Sequence, residues 1–296
     1  MSRRARSKVG VSRASGLRAC ASLALALVAL SVRVSTATAI AVASGPCDVS
    51  YPSDARIGWA CGVVPRGATF ESMFGERWRD VARFNRMDRR HVRAGTWIRI
   101  PERIDEIRDF TPMPARYAPA DTESRFVLID LAEQFLGAYE FSRLVFSAPV
   151  TSGMASLPTP DGEFRIDFVD PLHRSSAYTI EQTDTPYPMH YALRFLRARS
   201  GVTYWIHGRD MPGTPSSHGC VGLFDEEMQK RYYGQPKRPL LNDARRLFEW
   251  CIGPWQEGEI ISPEQDGPRV VIRGHAPIPG ERQARRPAAE RSEPGE

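Results

Sequence analysis

Between residues 125 and 274 the apolar residues come in short runs, at 126–131, 135–141, 144–150, 164–169, 192–196, 203–206 and 269–272, each cut off by Gly, Pro or Asp. Short runs rich in β-branched and aromatic residues, separated by turn formers, read as strands, so this half of the chain is expected to be β-rich. One helix is expected within it: Asp225 can cap a helix running to Tyr233, laying Leu223, Met228 and Tyr232 on the sheet. A second amphipathic stretch, 243–250, is closed by Cys251, read as a buried, inert thiol.

The remainder divides by composition. The chain of 296 residues is long enough for about two domains. Its formal charge of +5 suggests nucleic acid, but Arg3, Arg4, Arg6, Lys8, Arg13, Arg18 and Arg33 fall in the first 43 residues, where no acidic residue occurs. Taking those seven from the 40 basic residues leaves 33 against 35 acidic ones, so a nucleic-acid partner is set aside. The basic start, an apolar run at 19–32, and then small residues up to Ala43 have the parts of an export signal, so 1–43 is expected to be a signal peptide and the protein to act in the periplasm or cell wall. In an oxidising compartment Cys47 and Cys61 are expected as a disulfide.

Residues 44–104 form a small α/β unit, with a helical pattern from Thr69 through Trp78, Val81, Ala82 and Phe84 and a closing strand before Pro101. Residues 105–124 contain Pro112, Pro114 and Pro119 and read as a linker, and 275–296 as a disordered tail.

The chemistry concentrates at Tyr204-Trp205-Ile206-His207-Gly208 and Ser216-Ser217-His218-Gly219-Cys220-Val221-Gly222. A cysteine with an ordinary pKa of about 8.5 is mostly protonated at neutral pH and needs a neighbouring base or backbone N–H groups to become a nucleophile. His207 and His218 are near enough in sequence to serve, and Gly219 allows a sharp turn that can aim N–H groups at one point. A structural cysteine and a zinc site stay open as alternatives, although the chain has no CxxC pair. No metal, nucleotide or haem motif is present, and no cofactor is expected.

His207-Gly208 followed by Ser217-His218-Gly219-Cys220 resembles the signature of the L,D-transpeptidases with a YkuD-type catalytic domain. Residues 127–131 with 134–136 resemble that domain's opening hairpin. Pro149-Val150-Thr151-Ser152-Gly153 with residues 159–164, and Met189 to Phe195, resemble further segments in the same order. The resemblance covers residues 125–274. Two departures stand out: the loop before Ser217 is shorter than usual, and Gly222 stands where the family commonly has Arg or Asn, a contact that Arg209 or Arg194 would have to supply. Residues 67–69, Asn85 and 94–101 likewise resemble a LysM module, which would hold peptidoglycan glycan strands.

The fold implied is a mainly β catalytic domain with a short helix after the catalytic cysteine, preceded by a small α/β LysM-like module. The resemblance also implies that Cys220 attacks a peptidoglycan stem peptide at the amide between its diamino acid and a terminal D-alanine, forming a thioester that passes to an amine. His207 would take the thiol proton while the Gly208 carbonyl holds its other ring nitrogen. The N–H groups of Gly219 and Cys220, with His218, would stabilise the anion. Ser217, Arg209, Tyr191 and Met189 are candidate substrate contacts, and carbapenem-type inhibitors are expected partners. A cysteine hydrolase using water as acceptor and a catalytically dead wall-binding protein are the rival readings.

Overall fold

The computed structural model describes residues 45–280. The expected signal peptide, 1–43, and residues 281–296 of the expected tail lie outside them. The first elements are β1 (Trp59–Val63), α1 (Phe70–Phe74), α2 (Trp78–Asn85) and β2 (Trp97–Pro101), with β1 and β2 paired antiparallel. Thr69 caps α1, accepting a hydrogen bond from the Ser72 N–H. The expected helix is interrupted at Gly75, whose φ of +53° ends α1, and resumes as α2. The inward face of α2, Val81, Ala82 and Phe84, packs with Ile98 and Ile107. Asn85 locks helix to strand: its amide donates to the Val81 and Arg99 carbonyls, each at 2.9 Å, and its Oδ1 accepts from the Arg99 N–H at 2.7 Å. Arg99 is fully buried, ion-paired with Asp54 and stacked on Trp59 and Phe84, partners that a buried charge requires. Cys47 and Cys61, expected as a disulfide, are free thiols side by side. Burial, and then the neighbouring Cys61, push Cys47 up to about 12.

The C-terminal half holds β3 (Phe126–Asp130), β4 (Phe135–Glu140), β5 (Arg143–Pro149), β6 (Gly162–Arg165), β7 (Phe168–Asp170), β8 (Arg174–Thr179), β9 (Pro186–Pro188), β10 (Ala192–Arg197), β11 (Thr203–Arg209), β12 (Val221–Phe224), α3 (Glu226–Tyr233), α4 (Asp243–Ile252) and β13 (Arg269–Arg273). One sheet has the order β5-β4-β3-β13-β6 and another β12-β11-β10-β7, while β8 and β9 form a separate hairpin. The run at 164–169 is two strands, because the chain crosses between the sheets at Ile166 and Asp167 and leaves Ile166 in the core. The core lies between the two sheets: Val127, Ile129, Leu136 and Val150 meet Leu193, Phe195, Ile206 and Leu223, and α4 adds Leu247 and Phe248. Cys251 is in this core, and burial pushes its thiol up to about 12.

Period-two alternation sends Phe126 and Leu128 to the other face of β3, which would meet water if uncovered. Residues from the expected linker cover it: Phe110, Met113, Tyr117 and Ala120 pack on Phe126, Leu128, Phe135 and Tyr139. Asp225 caps α3 as expected, accepting from the Met228 N–H at 2.9 Å.

The described residues belong to one compact unit. Ion pairs join the small N-terminal unit to the C-terminal half: Arg83 to Asp243 at 2.8 Å and Arg89 to the buried Glu226 at 2.5 Å. Buried Asp88 accepts from the Met211 N–H and from the Gln229 side chain, both at 2.7 Å. At the far end Gly280 donates to the Asp48 carbonyl.

Candidate active site

β11 carries His207 and β12 follows Cys220. The two strands pair in parallel with His207 opposite Gly222 and Ile206 opposite Val221, so the crossover at 210–220 returns the cysteine to the edge of the strand bearing the histidine. The family-like segment 151–153 holds that crossover from the side. Thr151 and Gly222 exchange backbone hydrogen bonds at 3.0 and 2.8 Å, and the Ser152 carbonyl accepts from the N–H groups of Ser216 and Ser217. Gln134 fixes Ser152 in turn, through its backbone N–H and its hydroxyl. The segment is thus a brace for the cysteine turn.

His207 is buried, and its Nδ1 lies 2.7 Å from the Gly208 carbonyl, which leaves Nε2 as the basic nitrogen. Burial pushes its pKa down to about 3, so the ring is neutral at pH 7. Burial likewise raises the Cys220 thiol, opposed by a backbone hydrogen bond with Trp205 and by Arg209. The resting site therefore holds a protonated thiol and a neutral imidazole on the wall of one cleft.

Gly219 has a φ of +111°, and a Cβ there would come within 2.7 Å of the Tyr204 ring, so the turn requires glycine on both counts. Its N–H is engaged, donating to Ser217 Oγ at 3.0 Å, and that hydroxyl donates to the Cys220 carbonyl at 2.5 Å. Ser217 is therefore a buried brace within the turn and does not line the cavity, contrary to its expected place as a substrate contact. Tyr191 is also elsewhere: its ring packs against Phe248 and Trp255 in the core and its hydroxyl donates to Glu227. Aromatic side chains beside a motif more often fill the core, and this one does.

The remaining candidates meet in one cavity of about 1180 Å³, with His207, Cys220, Met189, Arg209 and His218 on its wall. His218 is exposed at the mouth, its ring stacked on Tyr178 of β8 at 4.2 Å and nearly parallel. Arg209 donates to the Ser216 carbonyl at 2.9 Å, while its Nε is buried without a partner. Its stem lies over Gly222, where a Cβ would fall 2.6 Å from Arg209 Cδ. Arg194, the other arginine considered for this place, is paired with Asp167 at 2.8 Å and does not line the cavity.

Sequence reasoning missed three parts of the wall. The hairpin β8–β9 carries polar, exposed residues that give no strand signal. His173, which no sequence motif marks, lines the cavity stacked on Trp205 at 4.3 Å. Arg90, His91 and Arg93 come from the N-terminal unit, and no local pattern could place them beside a cysteine so far along the chain.

A cysteine turn braced against parallel strands, with a buried histidine fixed by the next carbonyl and a cleft over both, defines a thiol-dependent acyl-transfer enzyme. Residues 124–272 match the family model of the L,D-transpeptidase catalytic domain, YkuD, and the chain belongs to that family. Among solved structures, it is similar to an L,D-transpeptidase from Stackebrandtia nassauensis at 19% identity and a TM-score of 0.37, over 70% of each chain. It is similar to Mycobacterium tuberculosis L,D-transpeptidase 1 at 17% identity and a TM-score of 0.32, over 51% of this chain and 62% of that one. A third, the L,D-transpeptidase LdtMt1 in complex with imipenem, aligns at 15% identity and a TM-score of 0.34, over 61% of this chain and 74% of the other. No curated protein matches the chain. The family assignment rests on the sequence match.

Proposed function

We propose that the protein is a peptidoglycan L,D-transpeptidase acting outside the cytoplasm, with its catalytic domain at 125–274. The observation that carries the reading is the match of 124–272 to the catalytic family, with Cys220 and His207 brought to one cleft. His207 Nε2 takes the thiol proton as sulfur attacks the stem-peptide carbonyl. The Gly208 carbonyl keeps the tautomer correct by holding Nδ1. With the Gly219 N–H already engaged, the Cys220 N–H and the His218 ring are the donors for the tetrahedral anion, an interaction worth about 3 to 4 kcal/mol in comparable sites. His207 then returns the proton to the leaving D-alanine amine, and an amine acceptor opens the thioester. Arg209, with no carboxylate partner among the described residues and its Nε free, suits a carboxylate of the stem peptide.

The N-terminal unit, 44–104, is read as a LysM-like module that holds glycan strands, supported by its two-stranded sheet with both helices between and by the Asn85 lock. Residues 105–124 connect it to the catalytic domain, 275–296 follow as a tail, and the leader at 1–43 directs export.

The test is incubation with imipenem, the inhibitor found with one similar structure. Intact mass and peptide mapping should place one adduct on Cys220, absent from Cys220→Ala, and a stem tetrapeptide should be converted to cross-linked dimer. No adduct and no dimer would refute the reading, and tripeptide without dimer would indicate a hydrolase.

A further inference from the structure

An amine acceptor must lose two protons from one nitrogen. It arrives as an ammonium, with an ordinary pKa of about 10.4, and has no lone pair with which to attack until the first proton is gone. The second leaves as the C–N bond forms. His207 has one basic nitrogen, its Nδ1 being committed to the Gly208 carbonyl, and it is needed for the second.

The same cavity contains another base. His173 follows β7, and its Nδ1 lies 3.0 Å from Asp170 Oδ2. That hydrogen bond, ahead of the opposing effect of burial, holds the Asp170 carboxyl below its usual range, and the Leu172 N–H fixes the other carboxylate oxygen at 3.1 Å. The His173 ring stacks on Trp205, the residue whose backbone meets the Cys220 thiol, and the Met189 N–H donates to the His173 carbonyl at 2.9 Å. The side chain is 25% exposed and lines the cleft. Asp170 and Arg174 stand on its own segment and His190 ahead of β10, and the same cavity is lined by His207, Arg209, Asp210, His218 and Cys220 and, from the N-terminal unit, by Arg90, His91 and Arg93. Burial depresses His207 to about 3 and His190 to about 4, so both are neutral at pH 7 and add no positive charge.

We propose that His173, oriented by Asp170, is the base that deprotonates the acceptor ammonium, a role resting on the transpeptidase reading above. Nε2 of His173 takes one proton from R–NH3+, and the imidazolium is stabilised by the Asp170 carboxylate. The freed lone pair attacks the thioester carbonyl, forming the C–N bond. The nitrogen's second proton goes to His207, the C–S bond breaks, and the departing sulfur recovers that proton. His173 releases its own to water. Hydrolysis of the same thioester needs no such step, since water arrives with its lone pair free.

The experiment uses the full chain and a stem tetrapeptide that serves as both donor and acceptor. Wild type, His173→Gln and Asp170→Asn are compared for imipenem adduct formation on Cys220, and for the ratio of cross-linked dimer to hydrolysed tripeptide across pH. His173→Gln should lower that ratio by at least about tenfold near neutral pH, with the loss shrinking as pH approaches the ammonium's own pKa of about 10.4. Adduct formation should stay within about twofold of wild type, and Asp170→Asn should show a smaller loss of the same pH dependence. An unchanged ratio, or an equal loss of adduct and dimer at every pH, makes His173 structural and overturns the proposal. A wild-type chain that takes no adduct on Cys220 overturns the transpeptidase reading, and this proposal with it.

Discussion

Asp88 offers the sharpest test of how the N-terminal unit supports the thiol turn. It is fully buried and accepts from four groups: the Met211 N–H and the Gln229 amide at 2.7 Å, and the backbone N–H and Nδ1 of His91 at 3.1 and 2.8 Å. His91 is partly exposed and can turn to water, but Met211 and Gln229 are fully buried. Asp88→Ala therefore strands the buried Met211 N–H, at about 1–3 kcal/mol, and leaves the Gln229 amide only its 3.2 Å bond to Asp210, for a combined loss of about 2–4 kcal/mol. That is a large share of the roughly 5–15 kcal/mol typical of a domain. The carboxylate also has a pH signature. Burial pushes its pKa up, but His91, the Met211 N–H and Arg90 outweigh burial and hold it below the ordinary value. A depressed carboxylate stabilises fully above its unfolded pKa of about 3.9 and loses that contribution as pH falls through the lower folded value. Urea unfolding followed by tryptophan fluorescence should show the loss at neutral pH, with the gap between wild type and Asp88→Ala narrowing on acidification below about pH 4. Because Met211 lies on the crossover leading to Cys220, imipenem acylation should slow as well. A variant within about 0.5 kcal/mol of wild type at neutral pH would refute the account of this carboxylate as a buried anchor.

Two further outcomes follow from the site. Burial raises the Cys220 thiol and lowers His207 to about 3, so alkylation of Cys220 by iodoacetamide should climb through the alkaline range with no step near pH 6.5, where an ordinary histidine titrates; a plateau of reactive thiolate from neutral pH would contradict it. Gly222→Ala forces a Cβ against Arg209 and the Thr151 methyl, at 2.6 and 2.8 Å, and should cost about 1–3 kcal/mol in thermal or urea unfolding. The cost should fall in the double variant with Arg209→Ala, and two strictly additive effects would show that the side chains do not compete for this space.

Much of the catalytic half was legible because its signals are local. Strand runs alternate with turn formers, Asp225 is followed by a helical stretch, and Cys220 with His207 stand in a motif whose two halves survive in the chain across a shortened loop. What the sequence misplaced, Ser217 and Tyr191, are residues whose neighbours decide their role: one hydroxyl turns inward to close its own loop, and one ring packs into the core.

The order of residues by itself determined the family and the β-rich class and singled out Cys220 and His207 as the candidate nucleophile and base, since each depends on residue type and short-range spacing. Only the tertiary structure decided that the proline-bearing segment at 105–124 covers the second face of β3, that Arg209 lies over Gly222, and that His173 shares a cavity with Cys220. These are contacts between residues far apart in the chain, fixed by which buried surfaces and buried polar groups must find partners, and no local pattern of residues encodes them.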